Sequence, residues 1–439
     1  ITTAVNESGT TTTPATATSF IQNFTGILVG LSGMNQDYPQ QSTGFFKKIN
    51  NNTISDINVT TTTTSNTSSV YGIVDITSYS PYVPNDSAAN ASNGNVDINN
   101  NNIFNLKSRS GNVRGISTRM PLYSPTSFYS TLGSPSYEYD YFNTNGNVNI
   151  KNNTIKQLAQ LGNNTYNNAT IGSVSAILYG ATAKNLYIDD NIIGGAGNDG
   201  IVVGSSNNTT ASANNFINSQ AIGLRGILVD RGTSFITPLL VSVKGNTITN
   251  LDRLAGTITT YTNQKSAGAS AITIYNGATT NNIENNTITG MDIANGLYNN
   301  AVNTSLDVIY AFGKPKSGNS SMTVKNNSIT AITRNQFGFL TTMAAGSGLN
   351  AFTTGIRADY VSGNQNRTIN GNTIDGITQT ATYTTTAAQQ NTYFSRLLGV
   401  YTLGKNAVGD QTNVNDNVVT NLTGANWNYT GSLTTTAET

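Results

Sequence analysis

Residues Lys244 to Leu251 read KGNTITNL, and close copies follow as ENNTITGM (Glu284 to Met291), KNNSITAI (Lys325 to Ile332) and NGNTIDGI (Asn370 to Ile377). A unit of Asn-x-aliphatic-x-x-aliphatic thus recurs about every forty residues, with unlike text between. Taking its Asn as an anchor gives the series Asn52, Asn101, Asn153, Asn191, Asn215, Asn246, Asn286, Asn327, Asn372 and Asn417. Most units carry one aliphatic two residues after the anchor and another five after it, as in Ile54 and Ile57, Ile155 and Leu158, or Ile248 and Leu251. Upstream stands an alternating pair such as Val148-Asn-Ile150 or Val241-Ser-Val243, and period two is the mark of a strand. The Asn, Asp or Gly just before the anchor marks a tight corner, because left-handed backbone is cheap for these residues.

A second motif, a small residue followed by Ile or Val, alternates with the first. It appears as YGIVDI (Tyr71 to Ile76), SAILYG (Ser175 to Gly180), DGIVVG (Asp199 to Gly204), RGILVD (Arg225 to Asp230), DVIYAF (Asp307 to Phe312), TGIRAD (Thr354 to Asp359) and LGVYTL (Leu398 to Leu403). Anchor spacing varies from 24 residues (Asn191 to Asn215) to more than 50 (Asn101 to Asn153). Helical repeats hold their length, since an insertion rotates the apolar face. A repeat that keeps its strands while its connections swell is a β-solenoid with loops at the corners, and the 24-residue spacing suits one coil of three short strands. Each coil would pair with the coils above and below, stacking aliphatics into ladders and letting corner Asn amides bond along the axis. A propeller needs four strands per blade, and a sandwich has no reason to restate one corner. The expected fold is all-β, a right-handed parallel β-helix of about nine to ten coils with long corner loops over 45–424. Residues 1–44 are expected to form a cap or a linker from a preceding module, and 425–439 a Thr-rich tail or linker.

Composition narrows the chemistry. The formal net charge is +1 with 10% charged residues, which gives no electrostatic case for nucleic acid or anionic membrane. With no Cys and no His, disulfides, thiolate metal sites, thiol catalysis and the Ser-His-Asp triad are excluded. No cofactor or metal is called for. No run approaches the roughly eighteen apolar residues of a membrane-spanning helix, so membrane insertion is not expected. Cys-free, Asn/Thr-rich and lightly charged, the chain fits a secreted or cell-surface bacterial protein.

The Gly-Asn-Thr-Ile units at 245–248 and 371–374, the Asn-Asn-Thr-Ile units at 51–54, 152–155 and 285–288, and the intervening Gly-Ile units resemble those of right-handed parallel β-helix repeat proteins. That broad group includes the pectate-lyase-like enzymes. The chain is most similar to Asn/Thr/Gly-rich β-helix segments of bacterial surface proteins exported by the type IX secretion route. The resemblance covers roughly 45–424 and implies the fold far more than an activity, because β-helices host lyases, hydrolases, adhesins and inert stalks. No type IX sorting domain is recognisable in the closing TGSLTTTAET, so the resemblance implies a fragment of a longer chain.

Candidate sites are few. Aligned on the Gly-Ile motif, Asp230 and Asp359 share a column but fall three coils, about 14 Å, apart, too far for a glycosidase pair. Asp189 and Asp190 read as a turn, and DDNIIGGAGNDG (Asp189 to Gly200) lacks the full calcium nonapeptide. The residue after the Gly-Ile aliphatic should face outward; this column reads Val74, Ser117, Leu178, Val202, Leu228, Thr273, Tyr310, Arg357, Tyr401. Its last three members, Tyr310, Arg357 and Tyr401, set two aromatics around an arginine, a set able to stack on sugars and bond their hydroxyls or carboxylates. An ordinary sheet surface, where Tyr is favoured and aromatic neighbours stabilise the ladder, is the preferred reading. The apolar members imply that loops cover much of that face. The long insertion from Met120 to Phe142 holds seven aromatics and either packs on the wall or presents Tyr129, Tyr137 and Tyr139 to a partner. Asp86-Ser87-Ala88 fits a bacterial O-glycan acceptor pattern.

The leading expectation is a structural or adhesive extracellular module, with no strong enzymatic signal. The alternatives are a carbohydrate-active β-helix (a glycan-binding module or a His-independent lyase) and a filament or surface-coat subunit. Expected partners are a polysaccharide or cell-surface glycan, other copies, or outer-membrane and secretion proteins.

Overall fold

The computed structural model describes residues 23–30, 46–59, 69–76, 94–108, 111–120, 139–140, 143–160, 174–180, 182–203, 210–212, 223–230, 239–253, 260–262, 269–275, 278–297, 306–313, 320–340, 349–360, 365–385, 393–403, 409–424 and 428–429. Three sheets of parallel strands run the length of the molecule, and nine successive coils each give one strand to each sheet in turn. The fifth coil is typical: Leu224–Asp230 lies in the first sheet, Leu240–Lys244 in the second and Thr247–Arg253 in the third. This is a parallel β-solenoid. Two small pairings lie outside the walls, one parallel (Thr210–Ser212 with Thr260–Thr262) and one antiparallel (Arg119–Met120 with Tyr139–Asp140).

The corner between the second and third sheets explains the recurring words. The residue before each anchor is left-handed, from Asn51 (φ 60°) and Asn100 (φ 57°) to Gly371 (φ 65°) and Asp416 (φ 53°). The anchor Asn then turns inward and is buried in every coil from Asn101 to Asn372. Asn246 shows the bonding. Its Oδ1 accepts from the backbone N–H of Asn191 (3.0 Å) and from Asn191 Nδ2 (2.9 Å), while its own Nδ2 donates to the Ile188 carbonyl (2.8 Å) and to Asn286 Oδ1 (2.9 Å). The same pattern repeats from Asn52 through Asn101, Asn153, Asn191, Asn246, Asn286, Asn327 and Asn372 to Asn417. Each amide serves as both donor and acceptor, so no buried polar group of the corner is stranded.

A second left-handed residue stands four positions after most anchors: Asp56, Asn105, Gln157, Asn250, Gly290, Ala331, Gly376 and Asn421. It breaks the period-two alternation of the third strand, and so the inward aliphatics fall two and five residues after the Asn rather than two and four. Ile248 and Leu251, or Ile374 and Ile377, are accordingly both buried.

The Gly-Ile motif and the Asn-Thr-Ile motif are the two sides of one contact. A Cβ placed on Gly72 would lie 2.7 Å from Ile103 Cγ2, one on Gly115 2.7 Å from Ile155 Cγ2, and one on Gly355 3.0 Å from Ile374. The small residue of the first sheet leaves room for the Ile that crosses from the third. Pairing registers skip this residue on both strands and resume, unshifted, at the following Ile. The result is one continuous core of stacked Ile, Val and Leu, with a part-buried ion pair between Lys47 and Asp75 (3.0 Å) near its start. On the outer surface of the second sheet, Lys151, Asp189, Lys244, Glu284 and Lys325 occupy successive rungs with alternating sign.

Three expectations need correction. The solenoid begins before residue 45, because Asn23–Gly30 (NFTGILVG) pairs with Ser69–Ile76 as the first strand of the first sheet; its Gly26-Ile27 is itself a Gly-Ile unit. Asn215 lies outside the described residues, and the ladder does not need it, since Asn191 bonds directly to Asn246, 55 residues on. The DGIVVG stretch is no first-sheet unit: Ile201–Val203 pairs with Leu158–Gln160 and Leu251–Arg253 in the third sheet. Here a short insertion with a 3-10 turn at Gly197–Asp199 splits the third-sheet strand into Ile192–Gly194 and Ile201–Val203, so one strand carries two apolar words and imitates an extra coil.

Asn246→Ala should cost about 3–5 kcal/mol, because it strands the Asn191 donors and the Ile188 carbonyl in the core. Asn417→Ala, at a rung that is itself half-exposed, should cost about 1 kcal/mol; denaturant midpoints of the two variants test the gradient. Ala331 is held at φ 55°, a conformation that penalises an L-residue by about 1–2 kcal/mol. Ala331→Gly should therefore stabilise by up to about 1 kcal/mol after the added unfolded-state entropy, read as a higher denaturant midpoint.

Candidate functional site

The outward column of the first sheet runs, by strand register, Leu28, Val74, Ser117, Leu178, Leu228, Thr273, Tyr310, Arg357, Tyr401. Val202 is not among them, for the reason given above. From Val74 to Thr273 these side chains are at most 1% exposed, so this outer face is covered along coils two to six. At Tyr310, Arg357 and Tyr401 the column becomes half-buried and changes from aliphatic and hydroxyl side chains to an arginine between two aromatics.

The guanidinium of Arg357 lies 5.1 Å from the Tyr310 ring centre and 5.7 Å from that of Tyr401, within cation–π range of both. Its fork is already engaged. Nε donates to Asp359 Oδ2 (2.6 Å), Nη2 lies 2.5 Å from the same oxygen, and Nη1 donates to Asp307 Oδ2 (3.4 Å). Both carboxylates are nearly buried, and the arginine side chain is 20% exposed. Burial alone would lower the Arg357 pKa, but Asp307 and Asp359 outweigh it and hold the group above the usual arginine value. Burial, reinforced by the Asp359 charge, pushes the Tyr310 phenol up. Arg225, two rungs before Asp307 in the same outward row, is lowered to about 10 by burial, with Asp307 opposing. Aromatic packing continues beside the cluster: Tyr275 stacks on Phe312 at 4.9 Å, and Tyr310 lies 6.1 Å from Phe312.

Chemically, a guanidinium held protonated by two carboxylates is not a general base, and both carboxylates are tied to it. The arrangement sets two aromatic rings and a partly exposed, ion-paired cation side by side on the outer face. Asp230 shares the column of Asp359, three rungs away through Tyr275 and Phe312. Sequence reasoning missed Asp307. Its signal was available, since it follows Tyr71, Arg114, Ser175, Arg225 and Ser270 at the polar position two before the aliphatic. Tyr129 and Tyr137 lie outside the described residues, and Tyr139 is placed by its backbone alone, in the two-residue pairing at the base of the long insertion. Among the described residues no three metal-ligating side chains converge, and no helix is long and apolar enough to cross a membrane.

One carboxylate pair on the third sheet also escaped the sequence reading. Asp252 and Asp292 occupy neighbouring rungs six residues after their anchors. Burial raises the pKa of Asp252, and the Asp292 charge adds to it; burial likewise raises Asp292, partly offset by a hydrogen bond from Asn335 Nδ2 (3.1 Å).

No protein-family model matches the chain, and no match is found among the curated proteins or the solved structures. The class defined by the coordinates is therefore that of the parallel β-solenoids, established from the three stacked sheets alone.

Because both folded-state pKa values are raised, the charged Asp252–Asp292 pair opposes folding at neutral pH, and that opposition fades as pH falls through the folded values toward about 3.9. Asp292→Asn should raise the melting temperature at pH 7, with the advantage over the parent chain shrinking on acidification. An advantage constant across pH would show that charge is not its source.

Proposed function

We propose that the protein is a rigid structural and adhesive module of a bacterial cell surface, a β-solenoid of the kind found in segments exported by the type IX route. The observation that carries this reading is the unbroken run of nine Asn rungs, Asn52 to Asn417, inside three sheets that never interrupt. Nine coils at about 4.8 Å each make a stiff spacer of about 40 Å. Its stability comes from backbone pairing and stacked ladders, and with no Cys it needs no disulfide. The resemblance to pectate-lyase-like enzymes reaches no further than architecture and carries no activity with it.

A second reading, carbohydrate binding, is favoured by one specific observation: the outer face of the first sheet is covered along coils two to six and opens where Tyr310, Arg357 and Tyr401 stand. In this reading the partner is a polysaccharide or cell-surface glycan, held without turnover.

Antibody against the chain should label intact source cells. Labelling that appears only after permeabilisation would overturn the surface assignment. Immobilised on beads, the chain should be retained on a polysaccharide panel without releasing fragments, and Tyr401→Ala should weaken retention several-fold; released fragments would replace the adhesive reading by a lyase.

A further inference from the structure

The cluster on coils seven to nine carries a statement about the charge of its ligand, and this rests on the carbohydrate reading above. An exposed arginine between two tyrosines would by itself suggest a carboxylate-bearing sugar, with the guanidinium fork receiving the acid. The geometry argues otherwise. Asp359 already fills the Nε and Nη2 side of the fork, and Asp307 takes Nη1. Two nearly buried carboxylates stand against one guanidinium at the surface, and Arg225 lies behind them, 7% exposed. An incoming uronate would have to displace a nearly buried carboxylate from the guanidinium, and would meet two like charges beside it on arrival.

What the strip still offers is uncharged. The rings of Tyr310 and Tyr401 flank the guanidinium, and Tyr275 and Phe312 extend the aromatic surface beside them. From the Tyr275 rung to the Tyr401 rung is three strand spacings, about 14 Å, room for a short oligosaccharide lying along the solenoid axis. We propose that this strip takes a neutral, hydroxyl-rich saccharide and discriminates against uronic-acid-bearing chains, with Asp307 and Asp359 as the residues that set the discrimination. They also position the guanidinium so that it spans the two tyrosines.

The test uses the whole 439-residue chain against paired oligosaccharides of one linkage, each neutral sugar matched to its uronate counterpart. Neutral members should be retained, with the uronate partner at least about tenfold weaker, and neutral binding should change little with salt. Asp307→Asn, checked for folding by its melting curve, should narrow the neutral-to-acidic ratio by freeing part of the guanidinium. Equal or tighter binding of the uronates by the parent chain would overturn the charge discrimination while leaving the carbohydrate reading intact. Retention of neither class would overturn both. A ratio unchanged in folded Asp307→Asn would remove Asp307 from the discriminating role.

Discussion

The structure depends on how a chain can turn a buried corner again and again without stranding its polar groups. At the junction of second and third sheets the backbone goes left-handed and the next side chain enters the core. Whatever enters must accept a hydrogen bond from the coil before and donate one to the coil after, so that identical rungs can stack indefinitely. The primary amide of Asn does both with a single short side chain. A carboxylate in every rung would stack like charges, and an apolar residue would leave backbone donors such as the Asn191 N–H unmet. The ladder from Asn52 to Asn417 is that solution repeated, and it fixes the register of every strand on either side of the corner.

From this constraint follow the two motifs and their separation. The left-handed residue after Ile248 reverses the alternation so that Leu251 also points inward, and Ile248 needs a small partner across the core, which Gly226 supplies. Coil length is not constrained at all. Successive rungs are separated by anything from 38 to 55 residues, because text between the strands leaves through the corners and never enters the ladder.

That is why the fold was legible in the sequence and parts of its bookkeeping were not. The Asn positions, the second left-handed corner hidden in the two-and-five spacing, and the inward and outward faces are all local consequences of one repeated geometry. The extra coil inferred around Asn215 and DGIVVG failed because a short apolar strand looks the same whichever sheet it joins. Only pairing to Leu158–Gln160 and Leu251–Arg253 distinguishes them. Parity placed Tyr310, Arg357 and Tyr401 in one outward column, and register brings them to successive rungs. Parity was silent on Asp307, whose approach to Arg357 spans two columns and two coils.

The same independence bears on where function can reside. A solenoid satisfied by its interior leaves the outward columns free to vary, and the first-sheet column uses that freedom unevenly. For five coils it is filled with Val, Ser, Leu, Leu and Thr, all buried, and such residues ask only to be covered. Then it changes to Tyr, Arg and Tyr, half-exposed and joined to two carboxylates whose burial the fold does not require. Burying a charge triad costs desolvation that an apolar rung would avoid, and the five preceding rungs of this column carry no charge. A departure from the repeat that the ladder neither demands nor benefits from is therefore where a binding role is best sought, and Arg357, held between Tyr310 and Tyr401, is its centre.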